Sequence, residues 1–398
     1  MSDFFGRVHH VAFIFAWTCL RCLIYISRLF FNAPPISPAS TALKFMLWVS
    51  KLIDKERMIL QVFIYKEHYS QQVVRAIRHL LKPSSSSPLR PRLEPTFHDL
   101  MHPDERGLAL YMEARKDPLP RARCLRQRME ALTNLIRLDR SKCAFENVTT
   151  PFEGEWVSPV GSKSEKVVLY LHGGGYVAGH PRHYRGFAGI LALQGQCRVF
   201  SLAYRLAPEH IWPASLVDAV ECFKWLINDL KINPKQIVLM GDSAGGNLAL
   251  NLLVTLREEG LPMPAGAALF SPWVELGNKN DSYYKVGHQD CLLDPRFMDY
   301  ISKVIMGGKI PSAANTPIMR SIHGLCPLLI IAGTEEILLD DTLNLTARAQ
   351  LADVPVETKI YEGMFHSFVV FAGLIPEANH ALDGVCANMR KWCSVGTS

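Results

Sequence analysis

The sequence contains no recognisable arrangement of metal-binding cysteines. Its ten cysteines are scattered along 398 residues, and the Cys19-x-x-Cys22 pair lies in an apolar run with no second pair. Structural zinc sites use about four such ligands, so this pattern argues against zinc, and free, mostly buried thiols are expected. The cysteines do not identify the redox compartment.

The sequence also lacks internal repeats and any interleaved pattern of basic and aromatic residues. The composition is that of a globular protein, with 48% hydrophobic and 20% charged residues. No long segment is therefore expected to be wholly disordered. The length allows one large α/β domain with a lid or anchor, or two ordinary domains.

The net charge of +6 is unevenly distributed along the chain. Residues 1–130 hold 20 Lys/Arg against 11 Asp/Glu, whereas the remainder holds 23 against 26. A basic amino-terminal part suits an anionic membrane surface. Nucleic acid is the alternative partner, but no nucleic-acid module supports it. We therefore expect membrane lipid, and no nucleic acid, among the partners.

An apolar run near the amino terminus predicts a membrane anchor at residues 1–40. The run is Val11 to Phe31, "VAFIFAWTCLRCLIYISRLFF", 21 residues interrupted by Arg21 and Arg28. A spanning helix needs about 20 apolar residues, and a central arginine costs about 2.5–3.5 kcal/mol on insertion scales. The many Phe, Ile and Leu residues can outweigh that cost. A helix lying in the interface is the alternative, while no small-x-small site follows closely enough to favour a cleaved signal peptide.

Residues 41–134 are predicted to form a basic helical lid. Between Lys44 and Lys82, apolar residues recur at helical spacing among basic ones, which is typical of one or two amphipathic helices. These helices would pack over an active site or lie on lipid. The stretch 83–95, "PSSSSPLRPRLEP", predicts a flexible linker or exposed loop.

From about Ser164, short apolar segments alternate with helix-like stretches. The strand-like segments read "KVVLYL", "CRVFSLAY", "QIVLM", "AGAALF", "CPLLIIAG" and "VPVETKIYEG". Helices are predicted at Ala214–Leu230, Ala244–Glu259 and Pro376–Trp392. Continuous apolar strands alternating with helices indicate a parallel sheet covered on both faces. Residues 135–398 are therefore predicted to be an α/β domain.

One serine lies between a predicted strand and a predicted helix. The sequence Gly241-Asp242-Ser243-Ala244-Gly245 is G-x-S-x-G, and strand–turn–helix is the context that a nucleophile elbow requires. The flanking glycines permit a tight bend. The alternative is a serine that simply ends a strand.

About 70 residues upstream, "LYLHGGGYVAGH" follows another strand. Backbone N–H groups of Gly173, Gly174 and Gly175 can approach a ligand closely. Two of these donors, with the N–H of Ala244, would form an oxyanion hole. The alternative, a phosphate loop, is disfavoured because neither G-x-G-x-x-G nor G-K-[ST] is present. His172 is counted with this oxyanion-hole loop, and it is expected to brace the loop rather than act as a base.

A nucleophile elbow predicts an acid and then a histidine further along the chain. His366, in "YEGMFHSF", follows the last predicted strand, whereas His323 and His380 fit less well among the fourteen histidines. After "CPLLIIAG" come four carboxylates, Glu335, Glu336, Asp340 and Asp341. Alternatively, these carboxylates lie in the solvent-exposed first turn of a helix, since acidic residues favour helix amino termini.

Four motifs in order carry a resemblance to a known family. "HGGGY", "YRLAPEH" leading to "WPASLVDA", "GDSAGG" and "SPW" occur between Val167 and Trp392. This part of the chain resembles the hormone-sensitive-lipase-type family of α/β-hydrolases. The family acid stands third after a glycine, usually in G-x-x-D-x-L-x-D. Counting from Gly333 identifies Glu336, a glutamate in place of the usual aspartate.

The resemblance implies the α/β-hydrolase fold and ester hydrolysis through an acyl-enzyme. Ser243 would attack, His366 would shuttle the proton, Glu336 would orient the imidazole and the glycine loop would hold the oxyanion. No metal or cofactor is implied. With its anchor and lid, the chain most resembles membrane-anchored steryl acetyl hydrolases and arylacetamide deacetylases, which act on lipophilic esters.

Other functions within and beyond this family stay open at this point. Related sequences act as amidases or as hydrolases in secondary-metabolite biosynthesis, and the motifs do not separate these from esterases. Some relatives are non-catalytic small-molecule receptors that have lost the histidine, and the presence of His366 argues against that class.

A single-pass anchor in the endoplasmic reticulum is expected, and two features disagree on its orientation. Arg28 near the end of the apolar run, with Lys44 and Lys51 after it, favours a cytosolic catalytic domain. Sequons at Asn147, Asn280 and Asn344 favour the lumen, as does the family resemblance.

Overall fold

The computed structural model describes residues 138–287 and 290–394, together with Ala122, Leu125, Arg126 and Ile136. All of them belong to one compact unit, Ser70–Ser398. The predicted anchor, the linker at 83–95 and nearly all of the predicted lid lie outside the described residues. No described helix is long and apolar enough to cross a membrane, and the run from Val11 to Phe31 is not among the residues described.

The described residues form an eight-stranded sheet with the spatial order β1-β2-β4-β3-β5-β6-β7-β8. β1 pairs antiparallel with β2 and β2 with β4, and every other neighbouring pair is parallel. The prediction of a mostly parallel central sheet is therefore confirmed. The strands are β1 Cys143–Val148, β2 Gly154–Pro159, β3 Val167–Leu171, β4 Arg198–Leu202, β5 Ile237–Asp242, β6 Gly266–Phe270, β7 Leu328–Glu335 and β8 Val356–Phe365.

Seven α-helices of the described residues connect or cover these strands. They are α1 Pro181–Gly195, α2 Ala214–Asn228, α3 Ala244–Glu258, α4 Ser282–Lys285, α5 Pro295–Ile305, α6 Leu339–Leu351 and α7 Pro376–Ser394. The three helices named from the sequence are all present, with carboxyl ends within two residues of the predicted ones. A short 3-10 helix, Phe368–Phe371, follows β8.

The first two strands were not predicted from the sequence. β1 is an edge strand with five of its six residues exposed or half-buried, so it carries no continuous apolar run. β2 begins at a glycine and ends at a proline, two residues that are uncommon in strand interiors. Hydropathy alone therefore detects the buried parallel strands and misses this antiparallel pair.

The two faces of the sheet build two separate cores. Along β3, Val167, Leu169 and Leu171 contribute to one core, while Val168 and Tyr170 contribute to the other. Helices α2 and α3 cover the first face, and α1 and α7 cover the second. Full burial of each such aliphatic side chain stabilises the fold by about 1.5–3 kcal/mol. The parallel strands consequently form a rigid layer whose carboxyl ends meet at one edge.

Candidate active site

Ser243 lies at a strained turn between β5 and α3. Its backbone angles are φ 55° and ψ −119°, a region that non-glycine residues rarely occupy and that costs about 1–3 kcal/mol. Its N–H donates to the carbonyl of Phe270 (2.8 Å), and its own carbonyl accepts from the N–H groups of Asn247 and Trp273 (both 3.1 Å). These bonds to β6 and its following loop hold the turn in place, as a nucleophile elbow requires.

Close backbone contacts explain the two glycines of G-x-S-x-G. A Cβ added to Gly245 would lie 1.9 Å from the carbonyl oxygen of Leu171, and one added to Gly241 would lie 2.4 Å from the carbonyl oxygen of Gly245. Neither neighbour is a flexible side chain that can move aside. The glycines are therefore needed for α3 to start directly against β3.

His366 and Glu336 are brought together at the ends of β8 and β7. Nδ1 of His366 lies 2.8 Å from Oε2 of Glu336, and both side chains are buried. The other carboxylate oxygen, Oε1, accepts from the N–H of Gly333 (2.7 Å) and from the hydroxyl of Ser271 (3.0 Å). Both oxygens of Glu336 are thus held while one of them faces the imidazole.

The environment of His366 favours its protonated form despite burial. Burial alone lowers the pKa of this imidazole, but the hydrogen bond and charge of Glu336, with the charges of Asp290 and Asp242, raise it above its usual value of 6.5. Because Nδ1 faces a carboxylate, it carries the hydrogen in the neutral ring. The lone pair of the neutral imidazole is therefore on Nε2, the atom that a base would use.

The other acidic residues of this segment have different positions. Glu335 is the last residue of β7, and its carboxylate lies beside Gly363 on β8. Asp340 accepts from the N–H of Ser282 (2.7 Å). Asp341 accepts from the N–H groups of Val274 and Glu275 (2.9 and 2.8 Å), and burial raises its pKa to about 8. Asp340 and Asp341 thus anchor the chain that follows β6, and the structure places Glu336 at the histidine.

The two histidines that fitted the pattern less well lie elsewhere. His323 contacts the carbonyl of Ala352 through Nδ1 (3.1 Å), and His380, on α7, contacts the hydroxyl of Tyr361 (3.2 Å). Both of these contacts are exposed.

The glycine loop after β3 offers fewer free donors than the sequence suggested. The N–H of Gly173 donates to Oδ1 of Asp242 (2.8 Å), so it is not available to an oxyanion. Gly174 and Gly175 have positive φ angles of 114° and 61°, which suit glycine. Among the described residues, no acceptor is found for the N–H groups of Gly174, Gly175 or Ala244. The candidate oxyanion hole is therefore reduced to these three donors.

His172 braces the glycine loop. Its ring stacks on Tyr204 (4.3 Å between centroids), and Nδ1 contacts the carbonyl of Gly173 (2.8 Å). The hydroxyl of Tyr204 donates to the carbonyl of His172 (2.6 Å). Burial lowers the pKa of His172 to about 3, so the ring is neutral at physiological pH. It supports the loop through this stacking and these hydrogen bonds.

Three polar residues near the site, Asp242, Asp290 and Ser271, were not predicted from the sequence as site residues. Asp242, beside the serine, accepts from Tyr170 (2.6 Å) and Tyr184 (3.3 Å) as well as from Gly173. Asp290 accepts from the N–H of Ile337 (2.9 Å), the residue after Glu336, and burial raises its pKa to about 6. The third is Ser271. Asp242 and Ser271 belong to "GDSAGG" and "SPW", so the motifs alone offered a signal for them.

The cysteines and metal candidates of the described residues give no second site. The seven cysteines described there are free thiols, and six of them are buried. In the same part of the chain, no group of three or more His, Cys, Asp or Glu side chains is arranged to hold a metal ion.

Comparisons with known proteins agree with this geometry. A family model whose description is "alpha/beta hydrolase fold" matches residues 168–370, about half of the chain. An acetyl-hydrolase of Streptomyces hygroscopicus is 33% identical over 265 residues, which cover 64% of this chain and 88% of the relative. An esterase of Acinetobacter venetianus is 32% identical over 229 residues, which cover 56% of this chain and 74% of the relative.

A solved structure is similar to a larger share of the chain than these two relatives are. The crystal structure of an esterase from the bacterial hormone-sensitive lipase family has a TM-score of 0.69 at 30% identity, covering 83% of this chain and 99% of that one. The chain belongs to the α/β-hydrolase fold family. Within that family it is of the hormone-sensitive-lipase type, and its relatives identify it as a carboxylic ester hydrolase.

Proposed function

We propose that this protein is a serine carboxylesterase that removes short acyl groups, acetyl in particular, from lipophilic alcohols such as sterols. The observation that carries the proposal is the 2.8 Å hydrogen bond between His366 and Glu336. It orients a buried imidazole at the same sheet edge as Ser243, with the lone pair on the ring nitrogen opposite the carboxylate. This is the arrangement of base and acid that nucleophilic serine catalysis requires.

In the proposed acylation step, Ser243 Oγ bonds to the ester carbonyl carbon as its proton passes to Nε2 of His366. The carbonyl oxygen becomes an oxyanion and accepts hydrogen bonds from the N–H groups of Gly174, Gly175 and Ala244. Glu336 stabilises the imidazolium. When the carbon–oxygen bond to the alcohol breaks, the alcohol leaves with the proton from Nε2.

The deacylation step uses the same groups with water in place of the alcohol. Water gives a proton to Nε2 as its oxygen bonds to the acyl carbon, and the collapse of the second tetrahedral intermediate returns a proton to Ser243 Oγ. The carboxylic acid is released, and the free Ser243 hydroxyl is regenerated. Apart from the ester and the water, the proton balance uses only Ser243 and His366.

The substrate class is supported by the relatives and by the amino-terminal sequence. The relative from Streptomyces hygroscopicus is described as an acetyl-hydrolase, which favours a short acyl group. The apolar run from Val11 to Phe31 and the basic character of residues 1–130 favour a membrane-anchored enzyme that meets lipophilic esters at the bilayer. We propose the endoplasmic reticulum as its compartment, with the catalytic domain in the lumen.

The proposal is tested by phosphonate labelling of membrane fractions, followed by an ester panel. Wild type should be labelled by a serine-directed fluorophosphonate, and Ser243→Ala should not be labelled although its circular dichroism is unchanged. Turnover should be fastest on acetyl esters and should fall with acyl length. Full labelling of Ser243→Ala would exclude this serine, and a preference for long acyl chains would exclude the short-acyl assignment.

The same experiment separates the alternatives. A non-catalytic receptor would show no labelling and no turnover. An amidase would cleave an anilide at least as well as p-nitrophenyl acetate. The anchor is tested independently, because full release of the chain by alkaline carbonate would contradict it.

A further inference from the structure

Ser367 directly follows the proposed base and has an unusual backbone conformation. Its φ and ψ angles are 55° and 27°, in the left-handed region that favours glycine. The residue is buried, its N–H donates to the hydroxyl of Ser271 (2.9 Å), and its carbonyl accepts from the N–H of Val370 (3.1 Å). The strained conformation is therefore held from both sides.

The hydroxyl of Ser367 reaches the reactive nitrogen of the base. Its Oγ lies 3.3 Å from Nε2 of His366. Since Nδ1 faces Glu336 and carries the ring hydrogen, Nε2 of the neutral ring can only accept, and the Ser367 hydroxyl is the donor. Within residues 138–287 and 290–394, this hydroxyl is the hydrogen-bond partner found for Nε2, and no such bond joins Nε2 to Ser243 Oγ.

The contact is not explained by local folding. Ser367 precedes the 3-10 helix Phe368–Phe371, a position at which a serine hydroxyl commonly caps the helix. Here the side chain makes no cap hydrogen bond. Its backbone, not its hydroxyl, bonds to Ser271 and Val370. The hydroxyl is thus directed at His366 and at no structural element of the described chain.

We propose that Ser367 is a positioning residue that holds the Nε2 lone pair of His366 in the resting site and must release it before Ser243 is deprotonated. Nε2 has one lone pair in the ring plane, and that plane is fixed by the bond to Glu336. Two hydroxyls cannot both donate to it in good geometry. The inference rests on the proposed function, because it assigns a role relative to the Ser243 nucleophile.

The proton balance of this arrangement is simple. On release, the Ser367 O–H···Nε2 hydrogen bond breaks and Ser367 keeps its proton. The Ser243 proton then passes to the Nε2 lone pair that Ser367 has released. Breaking one long hydrogen bond before the reaction should slow acylation by about two- to tenfold, in line with the net strength of such bonds.

The same contact affects the titration of the base. A donor to Nε2 stabilises the neutral imidazole and so lowers its pKa. The charged groups around the ring, Glu336, Asp290 and Asp242, stay in place when the hydroxyl is removed. Loss of the hydroxyl should therefore shift the pH midpoint of Ser243 reactivity upward, which a purely structural role would not do.

The test compares Ser367→Gly and Ser367→Ala with wild type. The rate constant for fluorophosphonate labelling is measured as a function of pH, and folding is checked by thermal melting. Both variants should label about two- to tenfold faster at alkaline pH, with the midpoint moved upward. Lys231→Gly is the matched control, because Lys231 is exposed and has a similar positive φ of 56°, and its labelling rate should equal that of wild type.

Several outcomes would overturn the inference. Unchanged or slower labelling in folded variants would show that the hydroxyl does not compete with Ser243, and slower turnover with normal labelling would instead indicate a role in deacylation. Faster labelling without a change in its pH midpoint would show that the substitution acts by relieving the strained backbone of Ser367, not by removing the hydroxyl. If Ser367→Ala does not fold, the pH midpoint of labelling in Ser367→Gly is the deciding measurement. Failure of wild type to label would contradict the proposed function itself, whereas normal labelling at Ser243 without these effects contradicts only the role of Ser367.

Discussion

The hydroxyl of Ser271 donates to Oε1 of Glu336 across 3.0 Å, and the same hydroxyl accepts from the N–H of Ser367 at 2.9 Å. One buried side chain thereby connects the loop after β6 to the acid after β7 and to the chain just after His366. We therefore assign Ser271 a positioning role for the His366–Glu336 pair.

Ser271→Ala should reduce kcat by about tenfold with little change in KM. The substitution removes a hydrogen bond to a carboxylate, an interaction that contributes about 1.5–3 kcal/mol, and leaves the N–H of Ser367 without its acceptor. Steady-state kinetics on p-nitrophenyl acetate measures the effect. Ser164→Ala is the control, since the Ser164 hydroxyl donates to the carbonyl of Gln196 at the amino end of β3, and it should retain wild-type kcat. An unchanged kcat in Ser271→Ala would contradict the positioning role.

Glu336→Gln should decrease kcat by about 10⁴, as loss of the orienting carboxylate does in serine proteases, or roughly 5 kcal/mol of activation free energy. The amide keeps the shape but loses the charge that stabilises the imidazolium. Glu335→Gln is the matched control one residue away, and its carboxylate lies beside Gly363 rather than at His366, so it should stay within a few-fold of wild type. Both kcat values are measured on one acetate ester after circular dichroism confirms folding. An inactive Glu335→Gln variant would show that the register counted from Gly333 is wrong.

The pH dependence of kcat/KM should have an acidic limb above pH 6.5. His366 acts as a base only when neutral, and although burial lowers its pKa, the Glu336 contact and the neighbouring charges raise it on balance. Activity should therefore fall as the pH decreases through this raised pKa. In Glu336→Gln the limb of the residual activity should move to lower pH, because the hydrogen bond and charge that raise the pKa are removed. A limb below pH 6 in wild type would contradict this account.

The register of the acid illustrates what a sequence pattern can identify. Gly333, Glu336 and Leu338 are close in the chain, and the pattern of the resembled family, counted from Gly333, selected Glu336 among the four carboxylates. The buried strands β3 to β7 were likewise visible, because each is a short apolar segment next to a helix-like stretch. β8 was also predicted, although only its last two residues are buried.

Other features depend on contacts between distant residues, which no local pattern records. The bond from Gly173 to Asp242 spans 69 residues, and the one from Ser367 to Ser271 spans 96. Because the N–H of Gly173 donates to Asp242, it is not available as the oxyanion donor that the three consecutive glycines had suggested. The strands β1 and β2 were missed for a different reason, since the exposed side chains of β1 give it no apolar signature.

Gly245→Ala should destabilise the protein by about 3 kcal/mol or more, because the new Cβ would overlap the Leu171 carbonyl oxygen at 1.9 Å and force α3 away from β3. For a domain of this size that corresponds to a melting temperature lower by roughly 6–12 °C. Gly260→Ala is the control: unlike Gly245, Gly260 has a positive φ, of 66°, but no atom lies within 4 Å of the added Cβ, so only the backbone strain of about 1 kcal/mol applies. Thermal melting followed by circular dichroism measures both. Equal melting temperatures for the two variants would contradict the contact argument.

A lumenal catalytic domain should carry its N-linked glycan on Asn147 and not on Asn280. Asn147 lies exposed on the edge strand β1, where a sugar meets only solvent. The Nδ2 group of Asn280 donates to Oδ2 of the buried Asp341 (2.8 Å), and its Oδ1 accepts from Asn344 (3.1 Å). A glycan on Asn280 would place a bulky polar group against a buried carboxylate and disturb the chain that Asp341 anchors. Endoglycosidase treatment should therefore increase the gel mobility of wild type and of Asn280→Gln equally, and the shift should be smaller or lost in Asn147→Gln. Absence of any shift in wild type would place the catalytic domain on the cytosolic side, and a full shift in Asn147→Gln would assign the glycan to another sequon.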